Sequence, residues 1–290
     1  MLITVINTTC LSFNPMPGEP MDSRIAIIAG AGRFPMHVAH EAKRQGLRVV
    51  VIGLQGWVDR SLATEADTYE EVAVGQLGRL TERLKAHDVR QAVMAGKVTK
   101  GVLLDHRTQF DAEALSVLSH VKEFSVPVLL RAIGEHLTKQ GIVLLDSSTF
   151  LKANLCPVGV LTSRGPSRVE QEDIHVGLQA ARALAALDIG QTVVVKERVV
   201  VAAEALEGTD AAIRRAHTLA GPGLVVVKVA SANQDRRFDL PVVGLETAAT
   251  LREAGVSCLA VEAGTTLLLD RDTLIASANA DNICVVGVKP

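Results

Sequence analysis

Apolar and polar positions alternate between two spacings along this chain, short unbroken apolar runs and longer stretches of helical period. Arg24 to Ala29 is a short apolar run that stops at Gly30-Ala31-Gly32, and Met36 to Gln45 follows with helical spacing and mixed charge. A second run, Arg48 to Gly53, completes a strand, turn, helix, strand unit whose crossover is expected to be right-handed and whose strands are expected to be parallel. The pattern predicts a helix over Leu77 to Ala86, a strand over Gln91 to Ala95, helices over Asp111 to Leu118 and Val126 to Gln140, and a strand over Ile142 to Leu145. Breakers then gather at Pro157, Gly159, Gly165, Pro166 and Ser167. A domain boundary belongs there.

Beyond it the periods resume. Helices are predicted over Asp173 to Leu187, Asp210 to Leu219, Glu246 to Ala254 and Asp272 to Ala280, and strands over Gln191 to Lys196, Arg198 to Ala203, Leu224 to Ala230, Cys258 to Glu262, Thr266 to Leu269 and Ile283 to Val288. The fold class is therefore α/β, with an N-terminal Rossmann-like parallel-sheet domain and a C-terminal mixed α/β domain. The domains are expected at 24–158 and 173–290, joined by a linker at 159–172. Residues 1–23 read as a disordered extension, with Met21 as an alternative start.

Composition narrows the function. A length of 290 residues accommodates two domains. At 48% apolar and 21% charged the chain is globular, and at 3% aromatic its core must be aliphatic. The net charge of −2 gives no basic stripe, so no nucleic-acid partner is expected. Cys10, Cys156, Cys258 and Cys284 fit neither a metal site nor a disulfide framework, and read as reduced, mostly buried thiols of a cytoplasmic protein. The eight histidines form no HxH or HExxH pair, and no GxSxG or GxxxxGK[ST] is present. Zinc hydrolases, α/β-hydrolases and ordinary P-loop ATPases are set aside.

Several loops carry candidate chemistry. Gly30-Ala31-Gly32-Arg33-Phe34-Pro35 resembles the opening of a dinucleotide loop, but the third glycine is missing and no acidic residue closes the second strand at Val51-Ile52-Gly53-Leu54. A structural turn and a nucleotide contact through Gly30 and Gly32 are equally good readings. Gly75-Gln76-Leu77-Gly78 and Gly96-Lys97 lie where strands should end, so Gln76, Gly96 and Lys97 are candidate ligand contacts. Lys97 suits a diphosphate as a point charge, or is a solvated loop lysine. Thr209 and Asp210, after Gly208, either cap a helix or bind substrate. The densest constellation runs from Lys228 to Pro241. It packs Gln234, Asp235, Arg236, Arg237 and Asp239 behind an aliphatic strand, and Asp235 and Asp239 share a face at a spacing that suits a hard cation such as Mg²⁺. Glu262 stands at another strand end and can converge on the same cleft.

Taken in order, Ile28-Ala29-Gly30-Ala31-Gly32-Arg33-Phe34-Pro35, Ala95-Gly96-Lys97-Val98, Asp188-Ile189-Gly190-Gln191, Glu207-Gly208-Thr209-Asp210 and Gln234-Asp235-Arg236-Arg237-Phe238-Asp239-Leu240-Pro241 resemble the LpxI family. The resemblance runs from Arg24 to Val288. It implies Mg²⁺-dependent hydrolysis of UDP-2,3-diacylglucosamine to UMP and 2,3-diacylglucosamine 1-phosphate (lipid X) in the lipid A pathway of Gram-negative bacteria. It also implies an active site in the inter-domain cleft, a homodimer, and a cytoplasmic enzyme with peripheral contact to the inner membrane. The family's essential aspartate falls on Asp239. Family members often carry Lys-Pro where this chain has Ser231-Ala232, so Lys228 takes the phosphate-contact role in expectation. Asp239, Asp235 and Lys228 are then the catalytic candidates, Asp239 and Asp235 the metal ligands. Gly30, Gly32, Gln76, Gly96, Lys97, Thr209, Asp210, Gln234, Arg237 and Glu262 are the substrate contacts. The rival readings are a nucleotide-sugar or NAD(P)-dependent oxidoreductase, and a non-catalytic sensor of UDP-sugars or lipid precursors.

Overall fold

A computed structural model describes residues 23–98, 108–121, 126–231, 235–238 and 240–290. The expected extension therefore lies outside the described residues, apart from Ser23. The N-terminal half contains β1 (Arg24–Ala29), α1 (Phe34–Arg44), β2 (Arg48–Leu54), β3 (Thr68–Val72), α2 (Leu77–Ala86), β4 (Gln91–Ala95), α3 (Ala112–Ser119), α4 (Val126–Lys139) and β5 (Val143–Leu144). Its strands run parallel in the order β3-β2-β1-β4-β5. β1 and β2 are buried on both faces, which is why their sequences read as unbroken Ile and Val runs. β3 has no such run, because Tyr69, Glu70 and Glu71 sit on a half-exposed edge strand. The apolar pattern did not predict it.

The C-terminal half contains β6 (Gly159–Val160), α5 (Arg168–Ala186), β7 (Thr192–Lys196), β8 (Val199–Ala203), α6 (Thr209–Ala220), β9 (Leu224–Lys228), β10 (Val242–Val243), α7 (Leu245–Glu253), β11 (Val256–Glu262), β12 (Leu267–Leu268), α8 (Arg271–Ala280) and β13 (Cys284–Val288). The main sheet has the order β6-β13-β11-β9-β7-β8. β9, β11 and β13 are parallel, and β6, β7 and β8 run antiparallel to their neighbours. The structure thus bears out the mixed α/β class. It moves the start of α5 from Asp173 to Arg168. Ser167 accepts the Glu170 backbone N–H at 3.2 Å while the Glu170 carboxylate accepts the Ser167 N–H at 2.7 Å. This capping box turns a breaker-rich stretch into a helix start.

The two halves share a core. Leu240, Leu267 and Leu269 pack with Ile25, Ile27, Val38 and Val93 of the first sheet, and Phe238 packs on its other face beside Leu144 and Ile133. β10 and β12 pair in parallel with each other, Leu267 of β12 also bridges Leu155, and the two strands carry the chain up to this contact. At its margin Asp270 lies 3.4 Å from His37 and 3.8 Å from Arg33. Burial is the main influence on His37 and lowers its pKa, with Asp270 opposing. Cys156, Cys258 and Cys284 are buried and free.

Candidate active site

The loops leaving β1 and β4 are joined backbone to backbone. Ala31 and Lys97 exchange two N–H to carbonyl bonds, both at 2.9 Å, and the Gly30 N–H donates to the Ala95 carbonyl at 2.8 Å. A Cβ on Gly30 would lie 2.8 Å from the Lys97 carbonyl oxygen, and one on Gly96 only 2.7 Å from the Gly30 carbonyl carbon. These two glycines are explained by each other, as a clasp between strand ends. Gly32 differs: it has φ +88° and nothing within 4 Å of the position its Cβ would take.

The clasp fixes the base of Lys97, whose side chain crosses to the other half. There Gly208 opens α6 with φ +86°, and a Cβ at that position would lie 2.9 Å from Lys97 Nζ. Gly208 is therefore required both by its backbone conformation and by the ammonium against it. Among the described residues no side chain caps α6, so its first amides point outward at the positive end of the helix dipole. Thr209 and Asp210 thus do not act as the caps that the sequence allowed.

Lys228 reaches the same point from the end of β9. Its ammonium donates to Thr209 Oγ1 at 2.8 Å and to Thr192 Oγ1 at 3.3 Å. The Thr209 hydroxyl in turn donates a hydrogen bond to Glu204 Oε1 at 3.0 Å. Lys228 is only 7% exposed, and a buried cation with neutral hydroxyl partners is stable only where further negative charge is close by. Glu204 supplies part of it through Thr209. A bound anion would supply the rest. Asp210 adds a second unmet need, since its Oδ1 is buried without a hydrogen-bond partner among the described residues. Glu262, buried at the end of β11, directly follows Val261, the residue paired with Lys228, and its Oε1 accepts from Thr265 at 3.3 Å. The site thus gathers Lys97, Thr209, Asp210 and Lys228, with Glu262 on the neighbouring strand. Thr192 and Glu204 join them. Thr192 heads the valine run of β7 and carries no charge to mark it in the sequence.

The Asp235 to Phe238 segment occupies a second position, against the ends of β4 and β5. The Ser147 hydroxyl donates to the carbonyls of Met94 and Arg237 at 2.8 and 2.9 Å, and Arg236 pairs with Asp146 at 3.0 Å. Asp235 binds the Arg237 guanidinium through both oxygens, at 2.9 and 2.7 Å. Burial alone would raise the Asp235 pKa, but the Arg237 hydrogen bonds and charge outweigh it and hold the carboxyl below its usual range. The guanidinium also stacks over Phe238 at 4.9 Å. Asp235 is committed to this pair, which leaves it poorly suited to a metal ion. Gln234 and Asp239 lie outside the described residues. Gln76 stands at the start of α2 in a loop pinned by Asp111, which accepts the Gly78 N–H at 2.8 Å and donates its own N–H to the Gly75 carbonyl at 3.1 Å. Its place is explained by that packing, and no bond among the described residues links it to the two lysines. Among the described residues no three His, Cys, Asp or Glu cluster as a metal site, and no helix is long and apolar enough to cross a membrane.

Two α/β halves bring a lysine from each to the start of one helix, an arrangement whose charge suits an anion. The LpxI N-terminal domain matches residues 24–154 and the LpxI C-terminal domain residues 157–286, and the chain belongs to the LpxI family. The UDP-2,3-diacylglucosamine pyrophosphatase LpxI of Caulobacter vibrioides is 31% identical over 283 residues, covering 92% of this chain and 98% of that protein. Among solved structures, the biotin carboxylase domain of a thermophilic 2-oxoglutarate carboxylase aligns with TM-score 0.26 and 13% identity over 60% of this chain and 35% of that one. The biotin carboxylase subunit of pyruvate carboxylase aligns with TM-score 0.26 and 14% identity over 69% and 43%. Likenesses this slight support no inference.

Proposed function

We propose that the chain hydrolyses the diphosphate of UDP-2,3-diacylglucosamine, releasing UMP and 2,3-diacylglucosamine 1-phosphate, lipid X, in lipid A biosynthesis. One observation carries the reading on the structural side: Lys97 and Lys228, from opposite halves, converge on Gly208 and Thr209 at the start of α6. A diphosphate carries two negative charges, which must be screened before water can attack phosphorus and the other phosphate can leave. The two ammonium groups and the outward amides of α6 do that screening without reorganising as the reaction proceeds. Family membership supplies the substrate, and the full-length similarity to the Caulobacter vibrioides enzyme supports it.

Mg²⁺ belongs to the proposal. It is usually held by one or two carboxylates together with substrate phosphates, so a dense carboxylate cluster is not required. The buried, unpartnered oxygen of Asp210 fits such a role, whereas Asp235 is occupied by Arg237. Asp210 and Asp239 would hold the ion, which supplies further charge neutralisation when bound. We also propose a cytoplasmic homodimer that touches the inner membrane peripherally, because the acyl chains of the substrate reside in a bilayer.

UMP formation from UDP-2,3-diacylglucosamine, followed with Mg²⁺ and with chelator, tests the reading. The intact chain should release UMP, chelator should suppress release, and Asp239→Ala should abolish it while the circular dichroism spectrum is retained. No UMP from the intact chain would overturn the hydrolase, and full activity in Asp239→Ala would overturn the role of that residue.

A further inference from the structure

Lys228 carries a charge that its own hydroxyl partners do not balance, and the group behind them decides how that charge is held. The Thr209 hydroxyl accepts from Lys228 Nζ at 2.8 Å and donates to Glu204 Oε1 at 3.0 Å. Chemistry fixes the order of this chain. An ammonium only donates, a carboxylate only accepts, and a hydroxyl has one proton to give and two lone pairs. With its proton committed to Glu204, Thr209 turns only lone pairs towards the lysine. Thr192 Oγ1 lies 3.3 Å from both Lys228 Nζ and Thr209 Oγ1. Without Glu204, the Thr209 hydroxyl is free to turn to Thr192 and compete with Lys228 for that oxygen.

Glu204 is itself held at several points. Its second oxygen, Oε2, accepts the Gln191 N–H at 3.3 Å, and its backbone N–H donates to the Thr192 carbonyl at 2.8 Å. A Cβ at Gly190 would collide with the Glu204 carbonyl oxygen, so that glycine lets the start of β7 close on the end of β8, where Val193 faces Ala203. The carboxylate is thus placed by the sheet rather than by a flexible loop. A negative charge near an anion site opposes the ligand directly. Glu204 stands one hydroxyl removed from Lys228, where it balances the lysine from behind Thr209.

We infer that Glu204 is a positioning residue: through the Thr209 hydroxyl it holds the Lys228 ammonium at the start of α6, where Lys97 Nζ also arrives, and it touches no substrate atom. The inference rests on the function proposed above for the nature of the anion, a diphosphate. Glu204 then serves the reaction although its charge has the wrong sign for the ligand. Simple Coulomb repulsion and positioning therefore predict opposite effects of its removal: the first tightens anion binding, the second weakens it.

Two measurements on the full chain test it: calorimetric titration with inorganic pyrophosphate in chelator, and UMP formation from UDP-2,3-diacylglucosamine with Mg²⁺. Glu204→Met removes both acceptor oxygens, and should weaken pyrophosphate and lower kcat/KM by about tenfold each, the size of one hydrogen bond to a charged group. Thr209→Val removes the bridging hydroxyl at nearly constant shape. On that background Glu204→Met should change either quantity by less than about twofold, because the group through which it acts is gone. A purely structural role would give the same loss on both backgrounds. Glu204→Gln is the isosteric second variant should Glu204→Met fold poorly: one end of its amide is a donor, so it cannot serve Thr209 and Gln191 together, and pyrophosphate should again weaken. Tighter pyrophosphate in either Glu204 variant, equal losses with and without Thr209→Val, or no pyrophosphate binding to the intact chain at millimolar concentration would overturn the positioning role. Pyrophosphate binding with the expected pattern but no UMP release by the intact chain would overturn the hydrolase and support the positioning role. UMP release with kcat/KM unchanged in Glu204→Met would overturn the positioning role and leave the hydrolase standing.

Discussion

In the N-terminal sheet the loops that leave β1 and β4 are held together by main-chain bonds between Gly30, Ala31 and Lys97, and their side-chain atoms play little part. In the C-terminal sheet the ends of β9 and β11 carry Lys228 and Glu262 as buried charged side chains, with Thr192, Thr209 and Glu204 bonded around the lysine. The first arrangement is a main-chain clasp, fit to fix position and to hold the base of Lys97, whose ammonium reaches Gly208. The second stores unfavourable burial of charge that a ligand relieves. A mutation at the glycines of the first should therefore act through stability, and in the second through activity.

The largest effect that would break this contrast is at Lys228. Lys228→Met should lower UMP formation by about two to three orders of magnitude, as loss of a preorganised electrostatic donor does, while the melting temperature holds or rises because a buried charge is gone. A melting temperature that falls with activity unchanged would reverse the assignment. Next comes the clasp. Gly30→Ala must push the Lys97 carbonyl from 2.8 Å, and should cost about 2–3 kcal/mol in urea denaturation. Gly32→Ala meets no atom and is penalised only for its positive φ, by about 1–2 kcal/mol. Equal costs would mean that the close approach is relieved elsewhere.

The smallest effect is acid sensitivity, which sharpens the same contrast. Burial alone would raise the Glu170 pKa, but Arg164 and the Ser167 N–H outweigh it and set it at about 2, below its ordinary value of 4.5. A carboxyl depressed in the folded state stabilises fully above its unfolded pKa and loses that contribution as pH falls through the folded value. The pair, at 28% and 10% side-chain exposure, should therefore contribute on the order of 1 kcal/mol above pH 4.5 that disappears towards pH 2. Glu170→Gln should flatten that part of the pH-dependent melting curve. The Arg60–Glu71 pair of the first half has an arginine that is 83% exposed, so Glu71→Gln should leave the curve almost unchanged.

Strands buried on both faces were legible because burial demands unbroken apolar runs, so β1, β2, β4 and β9 stood where the pattern put them. β3 was not, since an edge strand with half-exposed Tyr69, Glu70 and Glu71 obeys no such demand. At the site the sequence marked Lys97, Thr209, Asp210 and Lys228, residues whose charge or loop position is visible without coordinates. It did not single out Thr192, which heads a run of three valines at the start of β7. The Ser167 to Glu170 capping box was visible as a motif and was masked by the surrounding Gly and Pro. Gly30 and Gly96 were seen but not understood, because the reason for each is the other, across more than sixty residues of chain.

The leucines at 240, 267 and 269 come from one half and complete the core of the other. A cut near residue 155 would separate the two family-matched segments in sequence, yet it would leave the first segment with an uncovered apolar face and the second with stranded leucines. For anyone dividing the gene into separately expressed pieces, or fusing either piece to another protein, the indivisible unit is the whole of 24–290.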